Sequence, residues 1–139
     1  MEPTVWGPSA WTFLHSITLN YPEQPSEKDK LQTKEFFESI GNVLPCPVCR
    51  EHYNKNIQEI PIQLNSKDDL VHWLIDIHNK VNQITNKKEI SYGEFHEIYK
   101  TMYSMQTTNY TRIILVFVLI VLLYKLYEKS LISCRTITL

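Results

Sequence analysis

Cys46-Pro47-Val48-Cys49 limits this 139-residue chain more than any other stretch, because the only further thiol is Cys134. Three cysteines build neither a disulfide framework nor a four-cysteine zinc site, so the pair must work alone or beside a cofactor. Pro45 and Pro47 interrupt the preceding segment and suit a first helical turn. This puts Cys46 at a helix N-terminus and Cys49 one turn on, on the same face. The helix dipole and unpaired N–H groups favour a thiolate there, and thiols in such motifs titrate at roughly 3.5 to 7.5. Cys46 is then the exposed nucleophile, and Cys49 points inward. A second reading makes the two thiols zinc ligands together with His52, His72 or His78, although no HxxxH or second CxxC supports it.

Only three glycines occur, and helical periodicity recurs through the first hundred residues, which predicts a mostly α-helical domain. A net charge of −1 leaves no electrostatic footprint for nucleic acid. The first helix is expected over about Pro8 to Asn20, ending before Tyr21-Pro22. The second begins at Ser26 and carries Leu31, Phe36, Phe37, Ile40 and Val43 toward a core. The third runs from Cys46 to about Asn56, followed by a loop from Ile57 to Asn65. Ser66 with Asp69 caps a fourth through Leu70, Trp73, Leu74, Ile77, Val81 and Ile84, ending at Asn86-Lys87-Lys88. Ser91 with Glu94 starts a fifth bearing Phe95, Ile98, Tyr99 and Met102. No alternating strands surround the CxxC, which argues against a thioredoxin domain.

Two helix faces carry further chemistry. Trp6-Gly7-Pro8 precedes Trp11 and His15, whose i, i+4 spacing stacks them on one side. On the fourth helix His78 and Asn82 are also one turn apart, with Trp73, Asn79 and Val81 close by. A planar cofactor needs flat aromatic walls and a few polar groups that fix its edges, and these faces supply both. Each residue singly also suits an ordinary core.

Trp6-Gly7-x-x-x-Trp11-x-x-Leu14-His15, then Tyr21-Pro22, Cys46-x-x-Cys49 and His78-Asn79-x-Val81-Asn82, resembles the Erv/ALR family of FAD-linked sulfhydryl oxidases over roughly residues 1 to 100. The resemblance implies a four-helix bundle with a short fifth helix, noncovalent FAD and a homodimer. It also implies an enzyme in which a protein or small dithiol attacks Cys46, Cys49 faces the isoalloxazine ring, and dioxygen takes the electrons as hydrogen peroxide. By family position Trp11 and His15 line the flavin, and Trp73, His78, Asn79 and Asn82 hold the adenosine half. Lys87 reaches its ribose or phosphates, and Trp6, Gly7 and Val81 join the cofactor-binding set through their motifs. Tyr53 packs near the ring or in the plain core. Cellular relatives carry a structural disulfide near Ile75 and Tyr92, and many carry a shuttle cysteine pair. This chain has neither, as in the minimal viral members, so substrates reach Cys46 directly or through a separate relay protein.

Ile113 to Tyr124 is a charge-free apolar run, and flanking Tyr110, Tyr124 and Tyr127 with Arg112 and Lys125 extend it to about Tyr110 through Ile132. It is apolar on every face, so a single-pass transmembrane helix is expected, with a buried core helix as the other reading. The organisation is therefore an oxidase domain over 1–104, a linker and transmembrane helix over 105–132, and a short tail over 133–139. Lys125, Lys129 and Arg135 favour a cytosolic tail, whereas the lack of a visible signal peptide favours a cytosolic domain. The second argument is preferred here, with a lumenal or intermembrane-space domain as the alternative. Cys134, beyond the span, then cannot shuttle electrons within its own chain. The competing function is a non-catalytic membrane adaptor stapled by zinc.

Overall fold

Prolines and caps set where the helices begin. The structure, a computed structural model, describes residues 1–136, with the side chains of all of these except 105–109 and 130–136. Cys134 falls on a side chain outside the described residues. The architecture is all-α: α1 (Pro3–Leu19), α2 (Glu27–Val43), α3 (Pro47–Glu59), α4 (Lys67–Ile84) and α5 (Tyr92–Thr136), with no strand among the described residues.

α1 starts earlier than its sequence suggests. Pro3 takes the first turn, where its missing N–H would have no helical partner, and Pro8 is accommodated inside. At α2, Ser26 and Asp29 form a reciprocal capping box, with the Asp29 N–H donating to Ser26 Oγ at 3.2 Å and the Ser26 N–H to the Asp29 carboxylate at 2.9 Å. Ser66 caps α4 through the Asp69 N–H at 3.1 Å. α3 continues through Ile57–Glu59, which were expected in a loop. No glycine or proline interrupts it until Pro61, and Ile60 before that proline turns extended.

Residues Met1–Tyr92 form one compact unit and Gly93–Leu139 a second. In the first, α1 packs on α4, and α3 packs on both α2 and α4. Its core is Leu14, Tyr21, Phe37, Ile40, Tyr53, Leu70, Trp73, Leu74 and Ile77. Leu31, Val43 and Ile84, assigned to apolar stripes by periodicity, are exposed. Val43 and Ile84 are terminal residues of their helices, where the packed face runs out. The connection between α3 and α4 is tied down from both sides: Tyr21 Oη donates to the Leu64 carbonyl at 3.1 Å, and Trp73 Nε1 donates to the Ile60 carbonyl at 2.9 Å.

Where relatives are expected to have a disulfide, Ile75 is buried and Tyr92 stacks on His72 at 4.0 Å, donating its hydroxyl to Asp76 Oδ1 at 2.8 Å. An aromatic clamp thus joins the start of α5 to α4.

α5 is one helix of 45 residues, running without a break through the expected short fifth helix and the apolar stretch. From Glu94 onward there is no glycine or proline to end it. Along it the rings of Phe95 and Tyr99 lie 4.5 Å apart, and Ile98 and Met102 are exposed.

α2 and α3 approach closely at Gly41, whose carbonyl accepts from Asn54 Nδ2 at 3.2 Å. A Cβ added there would collide with the Asn54 amide. Gly41→Ala should therefore cost about 1 kcal/mol net, by expelling that amide from its hydrogen bond. In an Asn54→Ala background the same change should stabilise by up to about 1 kcal/mol, through helix propensity. Thermal unfolding of the four members of this cycle checks the reversal of sign.

Candidate functional site

The disulfide motif is built by the end of one segment and the start of a helix. Cys46 is the N-cap of α3 with extended backbone, Pro47 fills the first turn, and Cys46–Cys49 is closed as a disulfide with Cα atoms 5.1 Å apart. Cys46 Sγ accepts the Cys49 N–H at 3.2 Å, so one of the orphan donors of the helix N-terminus points at sulfur. Arg50 secures the approach. Its Nη1 donates to the Leu44 carbonyl at 2.6 Å, and its N–H to the Cys46 carbonyl at 3.1 Å. Both cysteines are half-buried, so what separates them is position relative to the helix rather than exposure.

The two faces noted in the sequence meet as one pile of rings. Trp11 and His78 stack at 3.9 Å with an 8° tilt, and His78 Nδ1 lies 3.1 Å from His15 Nε2. A single proton between those nitrogens makes this a hydrogen bond between neutral imidazoles. His15 is buried; desolvation, then the neighbouring His78, push its pKa down to about 3. Desolvation, then the Lys87 charge, lower His78 to about 4. Both rings are therefore uncharged at neutral pH; Trp11 and His78 lie parallel, and His15 sits buried beside them, tilted by 32°.

The other candidates divide by what already holds them. Trp6 Nε1 is buried with no hydrogen-bond partner among the described residues, and a Cβ at Gly7 would meet nothing, so this corner has a spare donor and open space. Lys87 is exposed, its N–H bonded to the Asn82 carbonyl at 2.8 Å beyond the left-handed Asn86. Asn82 is buried, with Nδ2 3.4 Å from Asn79 Oδ1. Asn79 grips the backbone of Ile90, donating from Nδ2 and accepting at Oδ1, each at 2.9 Å. Trp73 is a core residue packed edge-on against Phe37 at 5.1 Å. Val81 is half-buried, and its carbonyl takes the Thr85 hydroxyl at 2.8 Å. Tyr53 is core as well, donating to the Phe37 carbonyl at 2.9 Å, and burial pushes its phenol pKa up.

Two contributors were not foreseen. Arg50 orders the disulfide segment, yet a cation just after a cysteine carries no sequence signal for carbonyl binding. Asn56 is buried, with Nδ2 unpartnered among the described residues. Seven residues after Cys49, it shares that helix stripe, and this spacing was a usable sign.

A family model described as Erv1 / Alr matches residues 8–100. A probable FAD-linked sulfhydryl oxidase of Acanthamoeba polyphaga mimivirus is 43% identical over 114 residues, covering 79% of this chain and 80% of that protein. An FAD-linked sulfhydryl oxidase of African swine fever virus is 34% identical over 95 residues, covering 68% and 80%. The crystal structure of the FAD-binding domain of Erv1 from Saccharomyces cerevisiae aligns with a TM-score of 0.64 at 34% identity, over 66% of this chain and 87% of that one.

The histidine pair gives the fold an acid sensitivity of fixed sign. Both folded pKa values lie below the ordinary 6.5, so between about pH 6.5 and 4 the unfolded chain binds more protons, and stability falls as pH falls. Each group contributes at most about 1.4 kcal/mol per pH unit in that window. Urea midpoints at pH 7 and pH 5 should differ more in the wild type than in His15→Asn.

Proposed function

The chain belongs to the Erv1/Alr family, and from that premise we propose that it is an FAD-dependent thiol oxidase that forms disulfides in dithiol substrates through Cys46 and Cys49. The carrying observation is the Cys46–Cys49 disulfide at a helix N-terminus, in a chain that also stacks Trp11 on His78 and hydrogen-bonds His78 to the buried His15. A substrate thiolate attacks Cys46 Sγ, the S–S bond breaks, and its electron pair leaves on Cys49 as a thiolate. The substrate's second thiol then attacks the mixed disulfide, releasing oxidised substrate and a Cys46 thiolate. That leaving thiolate is stabilised by the Cys49 N–H and the positive end of α3. Protons follow to solvent, and the two-electron-reduced pair must be reoxidised.

FAD, when bound, supplies that step by accepting the electron pair and passing it to dioxygen, which becomes hydrogen peroxide. The residues present fit such a group. Trp11 and His78 offer stacked uncharged rings backed by the buried His15, Trp6 an unused buried donor, Gly7 open approach, and Lys87 a cation for phosphate oxygens. Asn82 and Asn79, one helical turn from His78 or next to it on α4, and Trp73 on the same helix are assigned to the adenosine half by family position, and Val81 joins the cofactor-binding set through its motif. In the zinc reading His52, His72 or His78 would complete the site, but His78 Nδ1 is engaged by His15 Nε2, and among the described residues no group of three or more His, Cys, Asp or Glu side chains is placed to hold a metal ion.

Tyr110–Lys129 forms an apolar helical stretch of mean hydropathy 1.9 with none of its window buried. That supports a single membrane span, since its charge-free centre, Ile113 to Tyr124, is unburied on every face and is matched by lipid. The oxidase domain, taken as 1–104, is then anchored with its disulfide on one side of the bilayer, by preference the cytosolic side. A second copy as partner is proposed from membership of the family.

The full chain in detergent should be yellow, release flavin on denaturation, and consume dioxygen with dithiothreitol. Cys46→Ser and Cys49→Ser should both abolish turnover, and only Cys49→Ser should trap a mixed disulfide, through Cys46. A colourless folded chain holding stoichiometric zinc would contradict the oxidase reading. For the anchor, alkaline washing should leave the full chain in the membrane pellet, whereas truncation after Ser104 should move it to the supernatant.

A further inference from the structure

From Ser39 to Cys49 no side chain is charged, and this stretch ends at the reactive disulfide. Val43 is 72% exposed and Val48 55% exposed, and Pro45 and Pro47 between them are exposed as well. Apolar residues therefore stand in water on both sides of Cys46.

The backbone offers an incoming chain little in exchange. Pro45 and Pro47 have no N–H, and Arg50 occupies the Leu44 and Cys46 carbonyls. Strand addition along this edge is therefore disfavoured; Ser39–Cys49 carries no charge of its own, and the adjacent Arg50 guanidinium is turned back onto the Leu44 carbonyl. Side-chain contact with apolar surface is the recognition that remains.

We propose that Val43, Pro45, Pro47 and Val48 form the docking rim for the protein substrate, and that they select dithiol segments whose cysteines are flanked by apolar side chains. The inference rests on the oxidase reading, which also names the occupant. A thiol attacks Cys46 only in van der Waals contact with its sulfur, so the residues beside that thiol must cover this rim.

The test uses the flavin-loaded full chain in detergent and three peptides with the same Cys-x-x-Cys, flanked by leucine, lysine or aspartate. The readout is kcat/KM from dioxygen uptake. The leucine-flanked peptide should be preferred by about tenfold, the scale set by burying part of two valines. Added salt should leave that preference intact, because screening acts on charges. Val43→Lys should reduce it, and Val43→Lys with Val48→Lys should abolish it and raise activity on the aspartate-flanked peptide. Ratios within one variant cancel any difference in folded enzyme or flavin content. Equal kcat/KM for the three peptides would overturn the docking rim, as would a preference untouched by the double substitution. So would a preference for a charged peptide that fades with salt. Dithiothreitol separates the two levels: turnover of it with no peptide preference removes only the rim, and no turnover removes the oxidase reading together with it.

Discussion

The Trp11–His78 stack, with His15 hydrogen-bonded behind it, is the contact on which the site depends. It links α1 to α4 across 63 residues of sequence between His15 and His78. A charged imidazole in either place would set a cation in a desolvated site, so burial first, then His78 beside His15 and Lys87 beside His78, holds the pair neutral. Neutrality in turn lets the rings lie flat against each other and leaves a wall without a formal charge. The charge near it is Lys87, kept at the exposed end where α4 turns back.

A second constraint acts at the disulfide. Cys46 sits outside the helix, as its cap, and Cys49 sits inside it. The same N–H that completes the cap also stabilises a thiolate on Cys46, so one interaction serves folding and chemistry. Arg50 holds the strand-like approach by two carbonyls, and Asn54 locks α3 to α2 at Gly41. The pair is therefore presented by a braced segment rather than a loose loop.

Much of this was legible in the sequence, and the limits have physical causes. Prolines around the CxxC placed Cys46 at a helix start, and Ser26, Asp29, Ser66 and Asp69 marked the starts of α2 and α4 through local hydrogen bonds. The order of tryptophan, histidine and cysteine motifs carried the family. Spacing put Trp11 with His15, and His78 with Asn82, but whether His78 crosses to Trp11 is set by helix packing, which periodicity does not encode. The same limit applies to Asn79, whose amide meets the backbone of Ile90, and to Trp73, whose indole N–H meets Ile60. The end of α3 was read short although Pro61 marks it, and the length of α5 was missed because no cap, glycine or proline divides it after Glu94. Val43 and Leu31 fit an apolar stripe by spacing yet face water, because α2 presents only part of that stripe to α3.

The central claim is that electrons leave a substrate dithiol through Cys46 and Cys49 and reach a flavin held by the α1–α4 face. Anaerobic mixing of the purified full chain with excess dithiothreitol, followed by visible absorbance, tests it most directly. The account predicts that bound flavin bleaches in the wild type and stays oxidised over the same interval in a Cys46→Ala, Cys49→Ala chain of equal flavin content. Bleaching at the same rate in both would contradict it, by showing that the flavin is reduced without the cysteine pair.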